Sequence, residues 1–187
     1  TITVTNKGEA RCDGDQGTDS TSSTIQSKRT EKEAGSYDDT TSTMAYTVTF
    51  DEKGSKGDGS TLVANDIFTY APYHQSGNRG NRIKKVSILP GSVKLYYLDA
   101  GGNQQVIPGN GNLTFTDHND TGKCNITVNI PYDGKTYYLE YTYLFEFETT
   151  KGISGIEGTN KINIDGKNSD VWSSSVKSKF THASSSA

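Results

Sequence analysis

The chain has 187 residues, a formal net charge of -3 and a hydrophobic fraction of 30%. Basic and acidic residues are interspersed, so no basic stripe could neutralise a row of phosphates, and we expect no nucleic-acid partner. No apolar run approaches the roughly 20 residues of a membrane-spanning helix, so we expect no membrane insertion. Eleven Tyr and six Phe residues supply bulky rings for one packed domain.

Period-2 alternation of apolar and polar residues recurs along the chain and is typical of strands with one buried face. Residues 8–23 are rich in Gly, Asp and Ser and are predicted to be a loop or linker. Pro90-Gly91 predicts a turn, and residues 99–103 predict a hairpin loop. The predicted strands, in chain order, are 1–5, 24–30, 44–50, 61–70, 83–89, 93–98, 104–107, 113–116, 124–130, 137–149, 162–164 and 171–180.

The longest alternating segment is residues 137–149, which we predict to be a central strand. One face of this strand is predicted to carry Leu139, Tyr141, Tyr143, Phe145 and Phe147. Many short strands separated by turns favour an all-β, immunoglobulin-like β-sandwich, with an eight-stranded barrel as the alternative.

The two ends of the chain have similar sequences. Thr5-Asn6-Lys7 and residues 23–30 match Thr159-Asn160-Lys161 and residues 174–181 in order and nearly in spacing. A cut through a tandem array leaves such a pattern. We therefore predict that residues 1–22 are the tail of a preceding repeat or a linker, and that residues 23–187 are one immunoglobulin-like domain of the array.

Candidate catalytic and metal-binding residues are sparse. His74, His118 and His182 lie in polar sequence without a nucleophile motif, so we expect no enzyme of the turnover type. No regular spacing of metal ligands occurs, and we expect neither a metal nor a cofactor. The two cysteines, Cys12 and Cys124, are compatible with one disulfide or with two free thiols.

Several short motifs resemble, in their order, the isopeptide-forming immunoglobulin-like domains of Gram-positive pilins and adhesins. The resemblance covers residues from about 24 to about 181. The motifs are Tyr46-Thr47-Val48-Thr49-Phe50, Asp66-Ile67-Phe68, Pro72-Tyr73, Asn78-Arg79-Gly80, Pro90-Gly91-Ser92-Val93 and Thr159-Asn160.

In such domains a lysine on the first strand joins an asparagine on the last strand through an amide bond, assisted by a buried carboxylic acid. The resemblance implies Lys28 as the lysine, Asp66 as the assisting acid and Asn160 as the asparagine. Asn163 competes with Asn160, and Glu140 competes with Asp66. The lysine must be neutral to attack, which burial promotes by lowering its pKa.

The resemblance implies a structural or adhesive module, a stalk or adhesin repeat, of an extracellular protein attached to the bacterial cell wall. Its expected partners are neighbouring repeats of the same protein and a host protein or glycan. The alternative is a carbohydrate- or host-protein-binding module that uses Tyr70, Tyr73 and His74 beside a Gly-rich loop. A hydrolase would require a triad or a paired-carboxylate cleft, and the sequence offers neither.

Overall fold

A computed structural model describes residues 2–12, 15–25, 28–52, 56–70, 83–118, 121–147, 153–167 and 169–183, of which 2–12, 15–25 and 153–154 are described by their backbone alone. Two short 3₁₀ turns lie at Pro108–Gly111 and Asp170–Trp172. The strands are β1 Ile2–Cys12, β2 Asp15–Ile25, β3 Thr30–Asp38, β4 Thr43–Phe50, β5 Ser60–Tyr70, β6 Ile83–Ile88, β7 Lys94–Leu98, β8 Gln104–Val106, β9 Thr114–His118, β10 Lys123–Tyr132, β11 Tyr137–Phe147, β12 Ile153–Ile164 and β13 Ser173–His182.

The described strands form two large antiparallel sheets and one separate hairpin. The five-stranded sheet has the order β13-β12-β5-β10-β9, and the six-stranded sheet has the order β3-β4-β11-β7-β8, with β6 also paired to β11. The hairpin consists of β1 and β2, which pair with each other and with neither sheet. This arrangement confirms the predicted all-β sandwich.

Strand β11 is the centre of the six-stranded sheet, as its alternation predicted. It pairs with β4 along one edge and with β7 and then β6 along the other. Leu139, Tyr141, Tyr143 and Phe145 are buried between the sheets, whereas Phe147 is only partly buried. They pack against buried residues of the five-stranded sheet, which include Phe68, Ile126, Val128, Ile130, Ile156 and Ile162.

Three sequence predictions differ from the structure. Residues 8–23, predicted as a loop or linker, belong largely to strands β1 and β2. Their Thr and Ser residues suit an extended backbone although they give little hydrophobic pattern. Strand β3 begins at Thr30, where the predicted strand 24–30 was expected to end. It was not predicted because its charged residues hide the alternation of buried and exposed positions. Strand β12 begins at Ile153, well before the predicted 162–164 segment, because glycines interrupt its apolar pattern.

The predicted turns are present. Pro90-Gly91 separates β6 from β7; Gly91 has φ +77, and the Ser92 amide donates to the carbonyl of Leu89 at 3.1 Å. A left-handed φ at this position explains the glycine. The hairpin between β7 and β8 closes at residues 99–103, where the Asp99 carboxylate accepts from several backbone and side-chain donors. Across the described residues, no helix is long and apolar enough to cross a membrane.

Candidate functional site: a buried lysine, aspartate, tyrosine and asparagine

Four polar side chains meet in the core between the two sheets. They are Lys32 on β3, Asp66 on β5, Tyr141 on β11 and Asn160 on β12, and we call them the interior cluster. All four residues are buried, and the Lys32 and Asp66 side chains have no solvent-exposed area. Buried ionisable groups are rare unless they are paired, and they concentrate at functional sites.

The strand registers bring Asp66 and Asn160 together. Asp66 lies opposite Ile162, and Asn160 lies opposite Phe68, so the two polar residues are diagonal neighbours on the inner face of the five-stranded sheet. Gly158 lies two residues before Asn160 on the same face of β12. A Cβ atom at Gly158 would overlap the ring of Phe68, so the glycine allows this part of β12 to lie against that ring.

The hydroxyl of Tyr141 is the centre of the hydrogen-bond network. Lys32 Nζ donates to Asp66 Oδ2 at 2.5 Å and to Tyr141 Oη at 2.6 Å. Tyr141 Oη donates in turn to Asp66 Oδ2, in a short hydrogen bond. Asn160 Nδ2 donates to Tyr141 Oη at 2.9 Å. The lysine amine, the aspartate carboxylate and the asparagine amide are therefore all connected through one phenol.

Burial shifts the pKa values of Lys32 and Tyr141. Desolvation lowers the pKa of Lys32 below its ordinary value, against the smaller opposing effect of the nearby Asp66 carboxylate. Desolvation, followed by the Asp66 charge, raises the pKa of Tyr141 well above its usual range, so its hydroxyl keeps its proton. The ring centroids of Tyr46 and Tyr141 lie 5.1 Å from Lys32 Nζ and shield it from water. These surroundings favour a neutral, nucleophilic amine.

Two oxygen atoms of the cluster have no hydrogen-bond partner. Asp66 Oδ1 and Asn160 Oδ1 are both buried and both unpaired in the part of the chain that the structure describes. Leaving a buried acceptor unpaired costs about 1–3 kcal/mol. The two unpaired oxygens belong to the diagonal neighbours of β5 and β12.

The structure brings Asp66 and Asn160 together but places Lys28 elsewhere. Lys28 is exposed, and its Nζ donates to the carbonyls of Asp170 at 2.5 Å and Ser173 at 3.3 Å. The lysine beside Asp66 is Lys32, four residues further along the chain. Lys32 therefore replaces Lys28 in the cross-link hypothesis, because of these two lysines Lys32 is buried between the sheets and Lys28 is exposed.

The sequence contains a signal for Lys32 that its charged neighbours obscure. Along β3, Thr30 and Lys32 are buried while Glu31 and Glu33 are exposed, which is the period-2 pattern of a half-buried strand. A lysine at a buried position of such an edge strand indicates that its amine points into the core.

The two competing residues face away from the cluster. Glu140 precedes Tyr141 on β11 and therefore lies on the outer face of the sheet, where it accepts a hydrogen bond from Tyr96 Oη at 2.6 Å. Asn163 is out of phase with Asn160 and is only partly buried.

The described tyrosine of the alternative ligand site is not exposed. Tyr70 is buried; its ring stacks on Phe68 at 5.6 Å between centroids, and its hydroxyl donates to Asp117 at 3.2 Å. Tyr73 and His74 lie outside the described residues, as does the Asn78-Arg79-Gly80 motif.

The remaining predicted groups are separate from the interior cluster. His182 contacts Tyr37 and Asp39 at the end of β13, each at 3.0 Å. Cys124 is buried with a free thiol, and the side chain of Cys12 lies outside the described residues. Within the described ranges, no group of His, Cys, Asp and Glu side chains is arranged to hold a metal ion.

No protein-family model and no curated protein matches this sequence. Solved structures with a similar fold include a collagen-binding domain from a Staphylococcus aureus adhesin, at 11% identity and TM-score 0.45, covering 83% of this chain and all of that one. The collagen-binding domain of Erysipelothrix rhusiopathiae surface protein RspB is 12% identical with TM-score 0.44, covering 96% of this chain and 57% of that one. The major pilin SpaD from Corynebacterium diphtheriae is 15% identical with TM-score 0.42, covering 80% and 33%.

Proposed function

We propose that this domain is a structural or adhesive module of a bacterial cell-surface protein, held closed by a self-formed amide bond between Lys32 and Asn160. The observation that supports the proposal is the buried contact of Lys32 with Asp66 and of both with Tyr141, beside the Asn160 amide. Such a bond forms once in each chain, so the chemistry is self-modification and not turnover.

The proposed reaction balances without a cofactor. Lys32 passes one proton to Asp66, which leaves a neutral amine and a neutral carboxylic acid. The amine attacks Cγ of Asn160 while the acid donates a hydrogen bond to Oδ1 and stabilises the negative charge that develops there. The Nζ–Cγ bond forms, the Cγ–Nδ2 bond breaks, and Nδ2 leaves as ammonia. The product is a neutral amide, which suits a dry core better than an ion pair.

The position of the bond fits a force-resisting role. Lys32 lies on β3, the edge strand of the six-stranded sheet, and Asn160 lies on β12 of the five-stranded sheet. A covalent bond between them joins the two layers and encloses roughly 130 residues. Pulling on the chain outside this loop would then bypass the loop and leave most of the sandwich folded.

The hairpin of β1 and β2 supports the second part of the proposal, a tandem array. Among the described strands, β1 and β2 pair only with each other. Thr5-Asn6-Lys7 of β1 and residues 23–25 of β2 match Thr159-Asn160-Lys161 of β12 and residues 174–176 of β13, which also form an antiparallel pair. We propose that this hairpin ends a preceding repeat, and that β2 leads into β3 of the present one. Neighbouring repeats, together with a host protein, are the proposed partners of this extracellular, cell-wall-attached chain.

Intact-mass spectrometry of the denatured, reduced chain tests the bond. We expect the wild type to be lighter than its sequence by one ammonia, Lys32→Met and Asn160→Ala to have their full calculated masses, and Lys28→Met to lose ammonia as the wild type does. Succinimide formation at Asn110-Gly111 also releases ammonia, but that loss would persist in Lys32→Met. A wild-type chain with its full mass would contradict the proposal.

A further inference from the structure

The hydroxyl of Tyr141 contacts both nitrogen atoms that the proposed reaction exchanges. Its oxygen is 2.6 Å from Lys32 Nζ, the attacking nitrogen, and 2.9 Å from Asn160 Nδ2, the leaving nitrogen. It also donates to Asp66 Oδ2. Among the described residues, Asn160 Nδ2 has a hydrogen bond to this phenol and none to the Asp66 carboxylate.

Amide exchange requires a proton to move between these two nitrogens. The attacking amine must lose one hydrogen to become an amide nitrogen, and the leaving nitrogen must gain one to depart as ammonia. A group within hydrogen-bond reach of both nitrogens is the natural carrier. The carboxyl of Asp66 touches only the attacking side through Oδ2, whereas the Tyr141 hydroxyl touches both sides.

We propose that Tyr141 is a catalytic residue of bond formation and relays the proton from Lys32 Nζ to Asn160 Nδ2. The inference rests on the proposed Lys32–Asn160 bond and adds a role that the lysine, aspartate and asparagine alone do not fill.

The relay follows from how the hydrogen bonds change during the reaction. In the folded, unreacted chain the planar amide nitrogen of Asn160 donates to Tyr141. After attack on Cγ, that nitrogen is a tetrahedral amine with a lone pair and can accept. The Tyr141 hydroxyl then gives its hydrogen to Nδ2 and takes one from Nζ. The Cγ–Nδ2 bond breaks, ammonia leaves, and the phenol has its hydrogen again.

The surroundings of Tyr141 suit a relay better than a free acid or base. Burial raises the pKa of this phenol well above its usual range, so the hydroxyl is protonated before and after the reaction. Concerted exchange of one hydrogen for another avoids forming a phenolate beside Asp66. The ring is held by stacking on Tyr46, at 5.6 Å between centroids, and by an edge contact with Tyr143 at 5.1 Å.

Tyr46 provides a matched control. Its ring stacks on that of Tyr141 and is equally close to Lys32 Nζ, but its hydroxyl contacts Ser178 Oγ and Met44 Sδ, each at 3.2 Å, and not the reacting groups. Substituting either tyrosine by phenylalanine removes one buried hydroxyl from the same aromatic stack. Only the Tyr141 hydroxyl belongs to the proposed relay.

The test follows ammonia loss over time during cell-free synthesis of the wild type, Tyr141→Phe and Tyr46→Phe, with acid quenching and intact-mass detection. We expect the wild type and Tyr46→Phe to convert at similar rates. Tyr141→Phe should fold, as judged by near-ultraviolet circular dichroism, and convert at least about 100-fold more slowly, the usual loss for a general acid–base group.

Each other outcome has one meaning. A folded Tyr141→Phe that converts as fast as the wild type overturns the relay and leaves the proposed bond intact. A Tyr141→Phe chain that does not fold even in trimethylamine oxide, which favours compact states, makes the hydroxyl a structural group and also overturns the relay. Absence of ammonia loss in the wild type instead contradicts the proposed function itself.

Discussion

Two lysine–carboxylate pairs place the same chemical groups in opposite surroundings. Lys84 and Glu146 lie 2.8 Å apart on the outer face of the six-stranded sheet, with about half of each side chain exposed. Lys32 and Asp66 lie 2.5 Å apart between the sheets, with no side-chain exposure. Water screens the first pair and is excluded from the second.

The contrast shows that burial, and not distance, makes the inner pair chemically unusual. In the exposed pair, the hydrogen bond and charge of Lys84 lower the pKa of Glu146 below its ordinary value, so the carboxylate stays charged. In the inner pair desolvation outweighs the attraction and lowers the pKa of Lys32. A salt bridge on the surface keeps both groups charged, whereas desolvation in a dry core favours the neutral amine of the lysine.

The largest effect is expected when the inner lysine is removed. Lys32→Met abolishes the proposed bond. In the chain-entropy model, a cross-link that closes a loop of more than 100 residues raises the free energy of unfolding by about 5 kcal/mol, because it restricts the unfolded chain. We therefore expect a large drop in the midpoint of urea unfolding for Lys32→Met and almost none for the exposed Lys28→Met. Equal, small shifts in both variants would indicate that Lys32 carries no cross-link.

A second test moves the strand that carries Asn160 without touching the cluster. Gly158→Ala introduces a Cβ that overlaps the Phe68 ring, and such overpacking costs about 1–3 kcal/mol. Gly35→Ala on β3 is the control, because its added Cβ would make only ordinary contacts of 3.5 Å or more. Urea unfolding should separate the two variants, and equal midpoints would mean that β12 adjusts freely.

A third test uses a carboxyl group that bridges the sheets through hydrogen bonds to a backbone amide and a phenol. Asp117 on β9 accepts hydrogen bonds from the Val86 amide of β6 at 3.1 Å and from Tyr70 Oη at 3.2 Å. Burial raises the pKa of Asp117, so the folded chain binds this proton more tightly than the unfolded chain does. Its contribution to stability is therefore present at acidic pH and is lost as pH rises from about 4 through the raised pKa.

Asp117→Asn removes that titration. The decline of the urea midpoint between acidic and neutral pH should become shallower in this variant. Part of the decline should remain, because burial also raises the pKa of Glu52. The same pH series on Glu52→Gln measures the contribution of Glu52 for comparison. An unchanged pH profile in Asp117→Asn would show that the carboxyl of Asp117 does not titrate differently on folding.

The smallest effect is expected at the exposed pair of Lys84 and Glu146. Lys84→Ala should change the free energy of unfolding by no more than about 1 kcal/mol, and less at high salt, because exposed ion pairs are screened. Urea unfolding at low and high salt measures this directly. A loss comparable to that of Lys32→Met would remove the contrast between the two pairs.

Much of the fold could be predicted from sequence because its central elements have an unbroken pattern. The alternation in β11 put Tyr141 on one face with Leu139 and Tyr143, and the structure buries that face. The Pro90-Gly91 turn and the hairpin at 99–103 were also recognisable. Asp66 and Asn160 were named from a resemblance in motif order, and the structure places both in one buried cluster.

The lysine could not be assigned in the same way. Lys28 and Lys32 both belong to a polar segment, and only the exact start of β3 at Thr30 determines which of them points inward. The role of Tyr141 was also hidden, since eleven tyrosines occur and the contact of one hydroxyl with residues of three other strands depends on tertiary packing.

The most direct test of the central claim is tandem mass spectrometry of a tryptic digest. A bond between Lys32 and Asn160 blocks cleavage after Lys32, so residues 30–53 and residues 152–161 should appear as one branched peptide lacking one ammonia. Fragmentation should place the junction at those two residues. Recovery of linear peptides cleaved after Lys32, with an intact Asn160, would contradict the account.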